Sequence, residues 1–148
     1  MNVEVVLDSK YSEPKVIIYT NEVSENISDL VKQIKSYHLS YINGFFDDKV
    51  CKLTPQNIYL LYSENGKVYA KTENNIYTIK YRLYELENML ANNNFIRISN
   101  SEIINLEKVK NLDFAFLGTI KINFLDDSYT YASRRFIKKI KEYLNLWN

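Results

Sequence analysis

Apolar and polar positions divide the chain into two stretches with different periods. Val3 to Leu7 and Lys15 to Thr20 are short β-rich runs separated by a polar stretch containing Pro14, and they predict two strands. Ser24 then stands where a helix N-cap is expected. Behind it Ile27, Leu30, Val31, Ile34 and His38 follow the i, i+3, i+4, i+7 spacing of a one-faced helix. Ile42-Asn43-Gly44 breaks that pattern and marks a boundary, which leaves residues 1–44 as a β-β-α segment and 45–148 as the main domain.

From Phe45 onward the spacing is that of strands: roughly 46 to 53, 58 to 63, 67 to 73 and 76 to 80, with turns at Pro55, Asn65-Gly66 and Asn74-Asn75. Asn-Gly between β-rich runs is a strong hairpin signal. Leu83, Leu86, Met89 and Leu90 predict a short amphipathic helix. Further strands are expected near 95 to 98, 102 to 105, 109 to 114, 118 to 125 and 128 to 132, with Asp126-Asp127 turning the last hairpin. Ser133 is positioned to cap a final helix whose buried face is Phe136, Ile137, Ile140, Leu144 and Trp147. The expected class is therefore mostly β with short helices (α+β).

Composition narrows the chemistry. With 148 residues and 46% hydrophobic content, the chain can bury one good core plus an appendage. No apolar run approaches the twenty or so residues of a membrane helix, and the N-terminus does not read as a signal peptide, so a cytoplasmic location is expected. Cys51 and His38 are the single cysteine and the single histidine, which argues against a disulfide and against a metal centre. Cys51 reads as a half-buried strand residue and His38 as a structural one. No nucleophile–base pair is recognisable, and three glycines do not make a phosphate loop, so neither an enzyme nor a cofactor is expected. Residues 1–50 carry 5 basic and 8 acidic groups, whereas 51–148 carry 14 and 10. That asymmetry permits a nucleic-acid face on the second part.

Three blocks carry a resemblance. Ile79-Lys80-Tyr81-Arg82-Leu83-Tyr84-Glu85-Leu86-Glu87 is followed by Phe95-Ile96-Arg97-Ile98-Ser99-Asn100-Ser101-Glu102-Ile103-Ile104-Asn105, and then by Tyr131-Ala132-Ser133-Arg134-Arg135-Phe136. In order and separation they resemble the LytTR family, over residues 58 to about 141. The resemblance implies small antiparallel sheets that bind DNA by placing loops, rather than a recognition helix, in successive major grooves. It also implies the short type without a receiver domain, some of whose members are paired with a membrane-bound protein that restrains them.

Carried over position by position, the resemblance implies base-reading side chains at Lys67, Asn100 and Arg135, with Ser101, Arg134 and Lys138 beside them. Arg135 also fits on chemical grounds, because an arginine fork can bond guanine O6 and N7 together. Asn100 suits a bidentate contact to adenine or, equally, the capping of a turn. Lys67 reads as a base reader, a phosphate contact or an ordinary lysine at a hairpin tip. Lys138 shares the solvated face of the last helix with Lys139 and Lys141, and its place beside the arginines suits a phosphate. Arg97 alternates with Phe95, which suits packing or a salt bridge, and Glu102 puts a carboxylate beside Asn100. The expected partners are double-stranded DNA and a second copy of the chain, with no small-molecule substrate. The competing reading is a LytTR-like protein-interaction module without strong DNA binding. Residues 46–148 hold every proposed contact and are expected to fold alone.

Overall fold

Alternating side chains give the main sheet two buried faces, and each face is covered by a different element. The structure is a computed structural model that describes residues 1–148 except 13, 38, 39, 92, 115–117 and 146–148. The expectations on His38 and Trp147 lie outside the described residues. A helix, α1 (Glu25–Tyr37), precedes five strands: β1 (Ile42–Phe46), β2 (Lys49–Leu53), β3 (Ile58–Glu64), β4 (Lys67–Thr72) and β5 (Ile76–Ile79). Helix α2 (Leu83–Met89) leads to β6 (Phe95–Arg97), β7 (Glu102–Asn105), β8 (Val109–Asp113), β9 (Lys121–Phe124) and β10 (Tyr129–Tyr131), and a short 3-10 turn at Arg134–Phe136 opens α3 (Ile137–Tyr143).

The strands form a seven-stranded antiparallel sheet in the order β2-β1-β5-β4-β3-β7-β6 and a three-stranded sheet in the order β10-β9-β8. On one face of the large sheet Leu83, Leu86 and Leu90 of the α2 region bury against Ile58, Leu61, Ala70 and Ile103. On the other, Ile120, Ile122 and Phe124 of the small sheet and Ile140 of α3 bury against Tyr59, Ile96, Ile98 and Ile104. A register shift between Ile58 and Leu60 lets β3 serve both cores, since Ile58 and Leu61 face α2 while Tyr59 between them faces the small sheet. The α+β class expected from the spacing is the class observed.

Three local expectations are corrected. The break at Ile42-Asn43-Gly44 is not a break: these residues lie in β1, and Ile42 is a core residue. Glycine is needed there for close approach, because a Cβ at residue 44 would fall 2.6 Å from Leu53 Cδ1 and 2.9 Å from Tyr77 Cβ. The single strand expected over 46–53 is a hairpin, turned by Asp47 and Asp48 at φ of 51° and 61°. Finally, residues 3–7 and 15–20 pair with no strand among the described residues, so the N-terminal segment contributes a helix but no sheet. Two short strands need a third strand or a covering surface to persist in water, and here Val5 and Leu7 remain 87% and 94% exposed. Ser24 does cap α1, its Oγ accepting from the N–H of Ile27 at 3.3 Å. Cys51 is half-buried in β2, as expected.

Since the sheet starts at Ile42, a fragment beginning at Tyr41 is expected to fold. One beginning at Asp47 loses β1 and with it a buried Ile42, a loss of about 2–5 kcal/mol from that side chain alone. Thermal melts of the two fragments check this, and equal melting temperatures would refute it.

Candidate nucleic-acid interface

Three segments carrying the expected DNA-contact residues meet at one end of the large sheet. The first is the β3–β4 turn, where Asn65 and Gly66 take φ of 52° and 76°, the mirror-image turn geometry that matches strand twist. Lys67 follows it, exposed and opposite Glu64 in register. The second is the turn from Ile98 to Ser101 between β6 and β7, where Asn100 and Ser101 are exposed. The third is the 3-10 turn with Arg134 and Arg135, both exposed, and Lys138 on the exposed side of the first turn of α3.

Backbone hydrogen bonds join these segments in series. The N–H of Ser63, at the end of β3, donates to the Ser101 carbonyl at 2.9 Å, and the N–H of Ser133 donates to the Ile98 carbonyl at 2.8 Å. Because β4, β3, β7 and β6 are successive strands, three spacings of about 4.8 Å put the hairpin and the β6 end of the site roughly 15 Å apart. Thus Asn100, Ser101, Arg134 and Arg135 are immediate neighbours in this chain of bonds, and Lys67 stands apart from them at the far side of β3.

The cations divide into free and engaged. Lys67, Arg135 and Lys138 form no ion pair among the described residues, and the Arg135 guanidinium stands over the Phe136 ring at 5.8 Å. The Arg134 guanidinium lies against Gly118, whose missing side chain makes the room: a Cβ there would stand 2.7 Å from Arg134 Nε. Lys139, on the same helix as Lys138, is committed to Glu87 at 3.1 Å.

Four features correct or extend the sequence reading, and the salt bridge expected of Arg97 is among them. Ser133 does not cap the last helix with its side chain; its backbone N–H is instead the link to Ile98. Arg97 donates from Nε to the Ser99 carbonyl at 2.7 Å, from Nη2 to the Asn100 carbonyl and from Nη1 to Glu87 Oε2 at 2.8 Å. Glu102 turns toward the small sheet and accepts from Thr130 Oγ1 at 2.6 Å, so its carboxylate is engaged beside Asn100. Asn105, which closes the second block, is fully buried, donating to the Ile58 carbonyl at 2.8 Å and accepting from the N–H of Glu107 at 3.0 Å. The signal that could have found Arg97 and Glu87 is their placement in the first two blocks, ten residues apart, with opposite charge.

Electrostatics reinforce the scaffold. Burial by itself would raise the Glu87 carboxyl, but hydrogen bonds from Lys139 and Arg97 and their positive charges outweigh it and hold the group below its ordinary value of 4.5. A carboxyl with a depressed folded pKa adds stability that is complete above its unfolded value and disappears as the pH falls through the folded one. The melting temperature of the chain is therefore expected to exceed that of Glu87→Gln near neutrality, and the gap should narrow as the pH drops below about 4.5. A gap constant with pH would refute the assignment. Asp126 is likewise held low: burial opposes, and hydrogen bonds from Ser128 and the charge of Lys71 prevail. The Lys71–Asp126 pair, at 3.6 Å, ties the turn of the small sheet to β4.

Comparison with known proteins places the chain in a family and supports its fold. The family model of the LytTr DNA-binding domain matches residues 48–145. The chain belongs to the LytTR family. Curated relatives include an uncharacterized HTH-type transcriptional regulator of Staphylococcus aureus strain NCTC 8325 / PS 47, 30% identical over 147 residues, and one of strain N315, 29% identical; each alignment covers 99% of both chains. A solved LytTr DNA-binding domain from Bacillus cereus superposes with a TM-score of 0.68 at 22% identity, covering 71% of this chain and 96% of that one. The family model leaves residues 1–47 unmatched, whereas the alignments with the Staphylococcus relatives cover 99% of this chain. Although those relatives are named HTH-type, α2 and α3 of this LytTR chain are separated by five strands and form no helix-turn-helix. No helix among the described residues is long and apolar enough to cross a membrane.

Proposed function

We propose that this LytTR protein regulates transcription by sequence-specific binding to double-stranded DNA, with the β3–β4 hairpin, the β6–β7 turn and the start of α3 as its reading elements. The observation that carries the reading is their convergence. Asn100, Ser101, Arg134, Arg135 and Lys138 stand exposed on two segments joined by one backbone hydrogen bond, with Lys67 on a third. This set supplies what recognition requires: unpaired cations for phosphates and directed donors for base edges. A span of about 15 Å exceeds the roughly 12 Å width of one major groove, which favours Lys67 and Arg135 entering different grooves.

Binding as a dimer on repeated half-sites belongs to the same proposal. The described residues among 1–41 lie outside the sheets, with exposed Val3, Val5, Leu7, Val16 and Ile17, more apolar surface than a lone helix can cover. A second copy would bury it and would turn weak single-site contacts into bivalent ones. The protein acts in the cytoplasm and catalyses no reaction on this reading.

Selection of bound duplexes from random DNA, followed by mobility shifts across a salt series, tests it. A recurrent spaced motif bound in preference to random duplex is the expected result, and equal affinity for all sequences at every salt concentration would overturn it. Sedimentation with and without the selected duplex should show a dimer, and a strict monomer in both conditions would remove the dimer.

A further inference from the structure

The turn between β6 and β7 is four residues long, and each of its carbonyl groups is held. The Ile98 carbonyl accepts from the N–H of Ser133 and the Ser101 carbonyl from the N–H of Ser63. The two between them, of Ser99 and Asn100, are both taken by the guanidinium of Arg97. Inside the turn the N–H of Ile98 donates to the Glu102 carbonyl at 3.0 Å, and the N–H of Ser101 donates to Ser99 Oγ at 3.2 Å. With its four carbonyl groups held, the turn leaves the Asn100 side chain exposed on a restrained backbone.

Arg97 is placed for this task and badly placed for DNA. Its side chain is 15% exposed, and its charge is matched by Glu87, which also takes Lys139 from α3. A phosphate contact needs the opposite, an exposed and uncompensated cation. The three nitrogens reach three separate acceptors, an arrangement that the planar fork of arginine provides and the point charge of lysine does not.

We propose that Arg97 is a positioning residue for base recognition: anchored by Glu87, it clamps the Ser99 and Asn100 carbonyls so that Asn100 meets a base edge already oriented. The proposal rests on the reading of the turn as a DNA-contact element. Its energetic logic is preorganisation, since a turn fixed before binding loses less freedom on binding.

The test uses the full chain and compares Arg97→Lys, Asn100→Ala and the double variant on the selected duplex, on duplexes changed at one base pair, and on random DNA. Each single variant should lose about tenfold in discrimination at the same base position, while affinity for random DNA and the salt slope stay at the unsubstituted level. The double variant should lose no more than either single one. If Arg97→Lys weakens every duplex alike, and Arg97→Gln, which removes the charge, lowers the salt slope by about one, Arg97 is a phosphate contact and the proposal is wrong. Additive losses would also overturn it.

A measurement without DNA separates this failure from that of the functional reading. In the free protein the backbone amides of Ser99 to Glu102 should show rigid 15N relaxation, which becomes mobile in Arg97→Lys. Should the unsubstituted chain prefer no sequence, the functional reading falls. Should the turn stay rigid in the variant, the clamp falls, whatever the DNA shows. Because Arg97→Lys could destabilise the fold, Glu87→Gln, which leaves both carbonyl bonds in place, is measured beside it and should give a smaller loss at the same base position. A loss of discrimination by Glu87→Gln at a different position would contradict the clamp.

Discussion

Arg135→Ala is expected to cost on the order of 1–3 kcal/mol on the selected DNA site and to relax preference at one base position, with a smaller effect on random DNA. The expectation follows from its place. Arg135 opens the last helix, is exposed, forms no ion pair with the described residues and is linked through Ser133 and Ile98 to the turn that carries Asn100. Lys138 provides the contrast. It lies on the exposed face of α3 with Ile137 and Ile140 turned inward, and as a point charge it suits a phosphate. Lys138→Ala should weaken binding to all duplexes about equally and lower the salt slope of log K by roughly one, leaving specificity intact. Isotherms on cognate, single-base-changed and random duplexes at several salt concentrations measure both. Equal loss on every duplex for Arg135→Ala would make it one more phosphate contact.

What could be read in the chain divides along a physical line between local and non-local causes. The Asn65-Gly66 hairpin was legible because both residues tolerate the positive φ that the turn demands, and the α2 helix because its leucines repeat at helical spacing. The β1–β2 hairpin was not, since Asp47-Asp48 is a weaker mark of the same backbone geometry and Gly44 imitates a break. Its true cause, the packing of Leu53 and Tyr77 over the missing side chain, lies in other strands. The N-terminal runs have the composition of strands, yet pairing needs a surface that their local sequence does not contain. At the site, the resemblance to the LytTR family pointed to the three segments. That they share one end of the sheet depends on β3 lying between β4 and β7, which no local pattern encodes. The same holds for Arg97, whose partners are two carbonyls downstream and a carboxylate ten residues upstream.

The second large effect is expected away from the DNA, at Asn105. This residue ends β7 and is fully buried, and its amide bonds three backbone groups, of which the Pro55 carbonyl also accepts from the N–H of Ile58. Nδ2 donates to the Ile58 carbonyl at 2.8 Å and to the Pro55 carbonyl at 3.4 Å, while Oδ1 accepts from the N–H of Glu107 at 3.0 Å. It thus joins the exit of β7 to the entry of β3, 47 residues earlier in the chain. Asn105→Ala strands the Ile58 carbonyl and the Glu107 N–H and leaves a small cavity, for an expected loss of about 2–4 kcal/mol. Asn105→Asp should be worse at neutral pH. Its carboxylate could still accept from Glu107 but would face the Ile58 and Pro55 carbonyls without a proton to give them, and a buried charge without a partner costs more than a lost hydrogen bond. Urea denaturation of both variants measures the order. A loss below about 1 kcal/mol for Asn105→Ala, typical of surface positions, would show that the bonds at the β3 and β7 ends are replaceable. Where each variant is still folded, its discrimination between cognate and altered duplexes should match that of the unsubstituted chain, because Asn105 lies at the end of β7 opposite to Ser101. Loss of discrimination in a folded Asn105→Ala would instead make this buried amide part of the recognition apparatus.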